Sequence, residues 1–372
     1  MGFPEKTKMD GRRELARRVL LGEVSLARAC QEAGVSRRTG YKWVQRAEAM
    51  GLESMAELSR RPQHIARATT EDVTAEILAL KARHPVWGAK KLLADAWPEH
   101  KGCKAPICVR TADRILKRNG LVRKRVTHKK VGTFERGECN ELLQMDFKGM
   151  GRRPRPYVPF TVIDDHSRFC LAFAPLLNEG WLGAWEALWA AFGEYGLPES
   201  ILSDNGSCFH STQSRGPTHL EARLWLLGIR TIHGRSRHPQ TQGKVERLHR
   251  TLNEETPQPF REMTLEQARE ALPRLVEQYN WRRPHEALKM RAPGEVYTVS
   301  PRLRPERVPI HELEESATKR KVDCAGLISY RGRTYLVGKG LAGEQVEIRE
   351  EEKGEATYYA GVRIASLTTP KV

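Results

Sequence analysis

Between residues 10 and 50, apolar residues recur at helical spacing, which predicts three short helices. Before the third helix, Gly34 permits a tight turn, Val35 can fill the core and Ser36 is a favourable N-cap. This pattern is typical of a helix-turn-helix, whose last helix presents polar and basic side chains to the major groove. An ordinary three-helix bundle is the alternative. The candidate DNA-binding residues in the last helix are Arg37, Arg38, Tyr41 and Lys42.

A second helical region follows a basic linker at residues 51–63. Its three predicted helices span residues 71–83, 88–96 and 108–119. Arg110 and Arg114 charge the last of these helices, and residues 121–133 form another basic linker that can lie along a phosphate backbone. We therefore expect a second small DNA-binding domain, helical or winged, and leave open whether it reads bases or only the backbone.

The pattern changes in residues 140–300, where short apolar runs alternate with helical segments. Strands are predicted at 142–147, 158–164, 169–174, 200–203 and 229–232, and helices at 181–195, 218–227 and 242–255. This order predicts a mixed sheet with helices on its faces. The first helix carries a stripe of Trp181, Trp185, Trp189 and Phe192, which we interpret as core rather than as a surface for stacking bases.

Beyond residue 320, apolar residues fall at every second position, which predicts short strands separated by Gly-rich turns. The predicted strands cover residues 327–330, 334–337, 345–348 and 357–364. We expect them to form a small, SH3-like β-barrel of about five strands. The predicted fold is therefore that of an α/β multidomain protein. Its domains are a helix-turn-helix domain at 1–62, a second DNA-binding domain with its linker at 63–133, the mixed-sheet core at 134–300 and the barrel at 301–372.

The charge of the chain points to a polyanionic partner. Lys and Arg total 63 whereas Asp and Glu total 46, so the net charge is +17. A solvated surface needs charges of both signs, but it does not need such an excess of one. If the partner is DNA, binding weakens steeply with salt because bound counterions are released. A basic protein without a specific partner is the alternative.

The cysteines indicate where the protein works. There are seven, an odd number, scattered along a long chain, which is typical of reduced intracellular proteins. No apolar run approaches the ~20 residues of a membrane span. The first residues also lack the apolar core of a signal peptide. We therefore expect a soluble, cytoplasmic protein with no membrane partner.

Three acidic residues are candidates for chemistry. Asp146 lies inside an apolar strand, where a charge is costly to bury unless it is paired or bound to a metal. Asp204 directly follows another strand, at the sheet edge where sites form in open α/β folds. Glu246 lies on a predicted helix. Taken singly, Asp204 could belong to an ordinary turn and Glu246 to a solvated ion pair, and it is their combination with Asp146 that favours a site.

Three carboxylates suit phosphoryl transfer with two metal ions. Magnesium prefers oxygen ligands and keeps several waters. Two such ions roughly 3.5–4 Å apart, bridged by shared carboxylates, stabilise both the attacking and the leaving oxygen. Asp164 and Asp165 are rival candidates, but adjacent strand residues point to opposite faces, so at most one can join the site. We predict that they start the turn into Ser167 and Arg168.

Long motifs in a fixed order carry a resemblance to a known family. Residues 143–149, around Asp146, read LQMDFKG, and residues 162–168 read VIDDHSR. Residues 203–206 read SDNG, and residues 238–247 read HPQTQGKVER. These segments resemble the first-aspartate, second-aspartate and glutamate motifs of bacterial insertion-sequence transposases with a retroviral-integrase-like core. The segment at 279–288 is similar to the one after the family's glutamate motif, and residues 34–37 are similar to its helix-turn-helix.

The resemblance implies a ribonuclease-H-like core with a DDE triad of Asp146, Asp204 and Glu246, which are the catalytic residues and ligands of two Mg²⁺ ions, with Mn²⁺ able to substitute. It implies a DNA transposase that binds the terminal inverted repeats of a mobile element, cleaves the ends and joins their 3′-hydroxyls to target DNA. It also implies a bacterial cytoplasmic protein that is associated with the nucleoid when bound to DNA, and at least a homodimer when two ends are paired. A DNA-binding regulator or domesticated remnant, and a structure-selective nuclease, are the alternatives on the same scaffold.

The chain departs from the family in the length of one segment and at Leu143, where many relatives carry tryptophan. The segment from Asp204 to Glu246 is longer than usual, which we attribute to a polar loop at 211–217, where insertions cost little. A zinc module of the integrase type is not expected, because the nearest candidate cluster lacks suitable spacing and a fourth ligand. That cluster consists of His100, Cys103 and Cys108.

The helix that carries the glutamate can also hold DNA. Gln242, Glu246 and Arg250 fall on one face at intervals of four residues. We predict that Lys244, Arg247 and Arg250 contact the phosphate backbone near the cut. The alternative is that these three are surface residues in salt bridges.

Overall fold

The computed structural model describes residues 7–57, 69–122, 135–150, 156–210, 216–234, 243–352 and 354–367. The chain divides into two compact units, Met1–Ala68 and Thr69–Val372. Residues 58–63 and 123–133 of the two predicted basic linkers, residues 211–215 of the predicted polar loop and residues 238–242 of the glutamate motif lie outside the described residues. None of the helices in the described ranges is both long and apolar enough to cross a membrane.

The first unit contains three helices, as the apolar spacing predicts. They are α1 (Lys8–Leu20), α2 (Leu26–Glu32) and α3 (Arg37–Met50). Gly34 has φ +65° in the turn before α3, and the Ser36 hydroxyl accepts a hydrogen bond from the backbone N–H of Thr39. Gly40 of α3 lies so close to Cys30 of α2 that a Cβ at this position would collide with the thiol. Glycine therefore allows these two helices to pack closely.

Val35 does not fill the core of this unit, contrary to the prediction. Its side chain is 37% exposed, whereas Leu15, Trp43 and Met55 are buried. Met55 belongs to the segment that follows α3, so the chain covers the core by turning back after the helix. The helical spacing within residues 10–50 contains no information on that return.

Three helices open the second unit and match the predicted ones to within a residue at each end. They are α4 (Glu71–Arg83), α5 (Ala89–Ala96) and α6 (Val109–Arg118), with a 3₁₀ turn at Glu99–Lys101. Ile77, Trp87 and Leu92 form the centre of their core. Trp87 also joins this region to the rest of the unit, because its indole N–H donates to Glu255 at 2.8 Å.

The centre of the second unit is a five-stranded mixed sheet. Its strands are β1 (Leu143–Phe147), β2 (Val158–Asp164), β3 (Cys170–Leu176), β4 (Ser200–Ser203) and β5 (Arg230–His233). They lie in the order β3-β2-β1-β4-β5, where β1, β2 and β3 pair antiparallel while β4 and β5 run parallel to β1. The five predicted strands and the predicted mixed sheet are confirmed.

Four helices pack on this sheet. They are α7 (Trp181–Tyr195), α8 (His219–Leu226), α9 (Gly243–Glu255) and α10 (Leu265–Trp281). Helices α7 and α8 share one apolar cluster with Val162, and α9 and α10 share another with Ile163. These two residues of β2 reach different clusters because adjacent strand residues point to opposite faces. The aromatic stripe of α7 lies in the first cluster, so its predicted place in the core is confirmed.

The outer edge of β3 is covered by a side chain of α10. Asn280 donates from Nδ2 to the carbonyl oxygen of Cys170 and accepts at Oδ1 from the Cys170 N–H, both at 2.9 Å. One amide side chain thus satisfies the two backbone groups that a further strand would pair. Asn280 is 3% exposed, so the contact is shielded from water.

The C-terminal region forms two sheets, which corrects the prediction of a single barrel. The strands are β6 (Thr318–Lys321), β7 (Leu327–Tyr330), β8 (Arg333–Leu336), β9 (Gln345–Glu351), β10 (Gly354–Tyr359) and β11 (Val362–Ser366). One sheet has the order β11-β10-β9-β6, and β7 pairs with β8 in the other. A shared apolar cluster that includes Ile328, Tyr335 and Val346 joins them. In the described part of this region, packing holds the sheets together without closing the ladder of backbone hydrogen bonds.

The strand expected at 357–364 is a hairpin. The chain reverses at Ala360 and Gly361, which have φ of +48° and +75°. Two successive positive φ values are typical of a type I′ turn, whose twist suits antiparallel strands. Apolar residues flank this turn on both sides, which is why their spacing did not locate it.

Candidate active site

Two of the candidate carboxylates come together because their strands are neighbours. Strands β1 and β4 pair in parallel, with Gln144 opposite Leu202. Asp146 and Asp204 each lie two residues beyond this pair, so the same register places them beside each other. Both residues are half-buried at this end of the sheet.

The turn after β4 orients Asp204. Its Oδ1 accepts a hydrogen bond from the Gly206 N–H at 2.9 Å, while the Asn205 amide donates to the Gly234 carbonyl oxygen at 3.1 Å. A Cβ on Gly206 would lie 2.9 Å from the same Asp204 oxygen, which is closer than side-chain atoms normally approach. The glycine therefore leaves the space that this carboxylate occupies.

Aromatic packing joins the two segments that carry the aspartates. Phe147 follows Asp146 directly, and its ring stacks on Phe209 of the loop after β4, with centroids 5.2 Å apart. Phe160 of β2 contacts both rings, at 5.1 Å and 6.3 Å. This cluster holds the end of β1 and the loop after β4 in a common position.

Glu246 comes to this region on α9, whose first turn is attached to the sheet. Lys244 places its ammonium 2.6 Å from Oδ1 of Asp165 and 2.8 Å from the Asp165 carbonyl oxygen. The same carboxylate oxygen accepts a 2.6 Å hydrogen bond from the amide of Gln144 on β1. Asp165 is fully buried, so this network is shielded from water and strongly favours one position of the helix.

One turn later, α9 is attached to the sheet again. The Nε2 of His249 shares a 2.7 Å hydrogen bond with the hydroxyl of Thr161. Thr161 pairs with Asp146 in the β1–β2 ladder. Burial lowers the pKa of His249 to about 3, so the imidazole is neutral. The exposed Glu246 therefore lies between two anchors, one on each side along the helix.

The pKa of Asp146 is affected by both of the other candidate carboxylates. Burial raises the pKa of Asp146 to about 7, and the negative charges of Asp204 and, more weakly, Glu246 contribute to the rise. The ammonium of Lys148 opposes it. The site thus carries more negative charge than its surroundings neutralise, and a divalent cation would relieve that excess.

The donors at this site fit a hard cation. They are all carboxylate oxygens, which magnesium prefers. Their arrangement is open. Within the described ranges, a compact group of three His, Cys, Asp or Glu side chains, with all ligand atoms within 4.8 Å of one another, occurs at a different place. It consists of His210, Glu221 and His233. The wider spacing around Asp146 suits an ion that keeps waters and accepts phosphate oxygens.

Asp164 and Asp165 have structural roles, as predicted. Asp164 accepts hydrogen bonds from the backbone N–H and the hydroxyl of Ser167, at 2.7 Å and 2.6 Å, which closes the turn between β2 and β3. Its other oxygen accepts from the Asn140 N–H at 2.8 Å. Asp165 neutralises Lys244. Both carboxylates are therefore committed to contacts within the protein.

The candidate DNA-binding residues of α3 lie in its first turns. Arg37, Arg38 and Tyr41 are exposed, Tyr41 to 58%. The ammonium of Lys42 lies 3.3 Å from the carboxylate of Glu57, at a solvent-exposed pair. The exposed face is compatible with docking into a groove, and contact with DNA stays a prediction.

The remaining candidates lie on α6 and α9. Arg110 and Arg114 are exposed one turn apart on α6, and Arg247 and Arg250 are exposed on α9. Lys244 differs, because its ammonium contacts the buried carboxylate described above. The DNA contacts of all five residues stay predictions.

Two residues that position α9 were not identified from the sequence. Gln144 and His249 are both buried polar side chains whose partners hold the helix. A signal existed for Gln144, because an amide inside an apolar strand requires a buried hydrogen-bond partner. None existed for His249, whose partner is 88 residues away in the sequence.

Four family models match the chain in order. The leucine-zipper of insertion element IS481 matches residues 5–83, two integrase core domain models match residues 138–239 and 227–293, and the IS481 family transposase C-terminal domain matches residues 317–370. The mixed sheet, the carboxylate group and the core matches define an integrase-type enzyme, a class that depends on a divalent metal ion. With the flanking matches, the chain belongs to the DDE transposases of insertion elements that have an integrase core.

Individual relatives resemble parts of the chain. The Gag-Pol polyprotein of baboon endogenous virus (strain M7) is 31% identical over an alignment of 121 residues; the match covers 28% of this chain and only 7% of the polyprotein. The catalytic core domain of BIV integrase is 22% identical, with TM-score 0.32, covering 42% of this chain and 93% of that one. A simian T-cell lymphotropic virus intasome in complex with PP2A regulatory subunit B56 gamma is 17% identical, with TM-score 0.36, covering 70% of this chain and 92% of that one. The HTLV-2 integrase catalytic core domain in complex with magnesium is 16% identical, with TM-score 0.32, covering 43% and 98%.

The helices within the leucine-zipper match are short. In the part of residues 5–83 that the structure describes, α1 to α4 have 13, 7, 14 and 13 residues. A coiled coil is recognised by an apolar repeat sustained over three to four heptads, or roughly 21–28 residues. These helices instead pack into small cores of their own, so the match identifies the family and not the conformation of this segment.

Proposed function

We propose that this protein binds the terminal inverted repeats of its mobile element, cleaves the element ends and joins their 3′-hydroxyls to target DNA. The observation that carries the proposal is the meeting of three carboxylates, from β1, the loop after β4 and α9, around the half-buried Asp146. The ranges matched by the integrase core models include all three residues.

In this proposal Asp146, Asp204 and Glu246 hold two Mg²⁺ ions, which Mn²⁺ can replace. When bound, the ions supply the charge that activates a water or a 3′-hydroxyl and stabilises the leaving oxygen. The chain contributes position, because the β1–β4 register, the Gly206 N–H and the two anchors of α9 hold the carboxylates before DNA arrives. The mechanism requires no side chain as a covalent nucleophile.

Basic helices supply the affinity for DNA in this proposal. The net charge of +17 favours binding to a phosphate backbone. Helix α3 is proposed to enter the major groove as the recognition helix of a helix-turn-helix. The contacts with the terminal repeat are assigned to Arg37, Arg38, Tyr41, Lys42, Arg110 and Arg114, and those near the cut to Lys244, Arg247 and Arg250.

Pairing two ends is proposed to require at least two copies of the chain, since each chain carries one set of the three carboxylates Asp146, Asp204 and Glu246. The mass of the complex with two terminal-repeat duplexes, measured in Mg²⁺-free buffer, gives the number of chains directly. Two or more chains are expected. A single chain that holds both duplexes would contradict the proposed dimer.

Strand transfer with a labelled terminal-repeat duplex tests the activity. In Mg²⁺, the wild-type protein is expected to join the labelled 3′ end to target DNA. Glu246→Gln is expected to bind the duplex normally and to join it at least about a thousandfold more slowly, because a metal ligand is lost. Glu254→Gln changes an exposed glutamate on the same helix and serves as the matched control, with wild-type joining expected.

The other outcomes separate the alternatives. Specific binding by the wild type without cleavage or joining would contradict the proposal and favour a DNA-binding regulator. Cleavage without joining would favour a structure-selective nuclease. Equal joining by Glu246→Gln and the wild type would remove Glu246 from the catalytic group.

A further inference from the structure

A second group of metal-ligand side chains lies outside the carboxylate site. His210 is in the loop after β4, Glu221 is in the first turn of α8 and His233 ends β5. One ligand atom from each residue lies within 4.8 Å of those from the other two. We refer to these three residues as the His–Glu–His cluster. The proposed phosphoryl transfer makes no use of it.

The geometry of the cluster is close to that of a single coordination sphere. The Nε2 of His233 lies 2.8 Å from Oε1 of Glu221, and the rings of His210 and His233 have centroids 4.4 Å apart at an angle of 40°. Ligands of one tetrahedral zinc ion, at about 2.0–2.1 Å from the metal, are roughly 3.3 Å from each other. Side-chain movements of about 1–2 Å would therefore complete the sphere.

Two of the three side chains are already oriented by other contacts. The Nδ1 of His233 lies 3.3 Å from the hydroxyl of Ser203, which directs Nε2 towards Glu221. The Oε2 of Glu221 accepts the backbone N–H of Thr218 at 2.7 Å, which leaves Oε1 facing His233. Histidine ligands of metals typically use their second ring nitrogen in this way, and the contact fixes the tautomer that can coordinate. Glu221 is only 5% exposed, so its charge needs a positive partner.

We propose that His210, Glu221 and His233 bind one zinc-class transition-metal ion, with water in the fourth position. Two imidazoles and a carboxylate are ligands of Zn²⁺ and its neighbours in the first transition row, whereas Mg²⁺ takes oxygen ligands. The ion links three segments that are separate in sequence. It thereby clamps the loop after Asp204 to α8 and to the end of β5.

Metal binding by the full-length protein tests the site directly. The protein is stripped with a chelator and titrated with Zn²⁺ against a chromophoric competitor, and separately with Co²⁺ while the visible absorption is recorded. We expect one Zn²⁺ per chain and a Co²⁺ spectrum that saturates at one equivalent. If the folded wild-type protein binds neither ion stoichiometrically, the three residues form only a hydrogen bond between His233 and Glu221 and a tilted ring contact between His210 and His233, and the proposal is overturned.

Variants locate the site. His210→Gln is expected to weaken Zn²⁺ binding by more than about 100-fold, and Ser203→Ala by about 10-fold through the loss of its contact with His233. His219→Gln is the matched control, because His219 is an exposed histidine on α8 whose ring packs 5.1 Å from that of Trp181. Wild-type affinity in His210→Gln, or an equal loss in His219→Gln, would overturn the assignment. Circular dichroism checks that each variant is folded.

An effect on strand transfer rests on the proposed function. Because the clamp holds the loop that follows Asp204, loss of the ion is expected to slow Mg²⁺-supported joining several-fold without abolishing it. Metal content is measured without any DNA. The zinc site can therefore be found even if the protein has no transposase activity. It can also prove absent in a protein that is an active transposase.

Discussion

Two groups of ligand side chains lie at the same end of β4 and β5, and they differ in how they are held together. The carboxylate group joins Asp146, Asp204 and Glu246, whose like charges contribute to the raised pKa of Asp146. The His–Glu–His cluster joins donors that already contact one another, with 2.8 Å between an imidazole nitrogen and a carboxylate oxygen. The first group is open, whereas the second is compact.

The difference shows what each group requires from the fold. Like charges repel, so the carboxylates stay near each other only because strand register and the anchors of α9 keep them there. An imidazole and a carboxylate attract, so the compact group needs only that the fold bring its three segments within reach. We therefore expect the open group to be sensitive to distant anchoring contacts and the compact group to be sensitive mainly to its own ligands.

The largest effect is expected from removing a carboxylate. Asp146→Asn should slow joining at least about a thousandfold, because a lost metal ligand removes several kcal/mol of transition-state stabilisation. Zn²⁺ binding at the His–Glu–His cluster should be unchanged. Joining rates and Zn²⁺ titrations on the same preparation measure both. A parallel loss of Zn²⁺ affinity would mean that the two groups are one site.

The second-largest effects are expected from removing one kind of metal ion at a time, which distinguishes the carboxylates from the His–Glu–His cluster. Withdrawing Mg²⁺ should abolish joining and leave the melting temperature nearly unchanged. A chelator that strongly prefers transition metals to Mg²⁺ should lower the melting temperature by several degrees, because an ion at a hundred times its Kd contributes about 2.7 kcal/mol. Calorimetry with each chelator gives the comparison. An unchanged melting temperature with the second chelator would count against the clamp.

A smaller effect is expected from the first anchor of α9. Lys244→Met leaves the Asp165 carboxylate buried without its cation, which should cost about 3–5 kcal/mol of stability. Joining should slow roughly 10–100-fold as Glu246 shifts, because misplacement by about an ångström is that costly. The salt slope of end binding should also fall by about one, because Lys244 is proposed to contact a phosphate near the cut.

Arg250→Ala is the matched comparison for Lys244→Met. Arg250 is exposed on the same helix, so its loss should reduce the salt slope of end binding by about one without a loss of stability. Binding constants at several salt concentrations measure both slopes. An unchanged slope in Lys244→Met would show that this lysine only anchors α9 through Asp165, and would remove it from the proposed DNA contacts.

The smallest effect is expected from Gly206→Ala. The added Cβ would lie 2.9 Å from Oδ1 of Asp204, so the carboxylate must move by a few tenths of an ångström. Joining is expected to slow several-fold. Gly149→Ala, near the other aspartate, adds a methyl group with no neighbouring atom within 4 Å and should behave as wild type. Equal rates in both variants would mean that the turn tolerates the shift.

The parts of the fold that were predicted from the sequence are those with strong local signals. The strands of the core were located by apolar runs between turn residues, and the Asp204 turn by its Asn-Gly dipeptide. Three details were wrong or incomplete: the exposure of Val35, the closure of the C-terminal sheets and the hairpin at Ala360. Each depends on which distant segments pack together, and apolar spacing does not contain that information.

By itself, the sequence determined the order of helices and strands, the basic character of the chain and the three carboxylates of the candidate active site, because each depends on residues that are neighbours in the chain. The tertiary structure alone decided how α9 is anchored and that His210, Glu221 and His233 meet. Those contacts join residues far apart in the sequence, and only strand register and helix packing bring them within bonding distance.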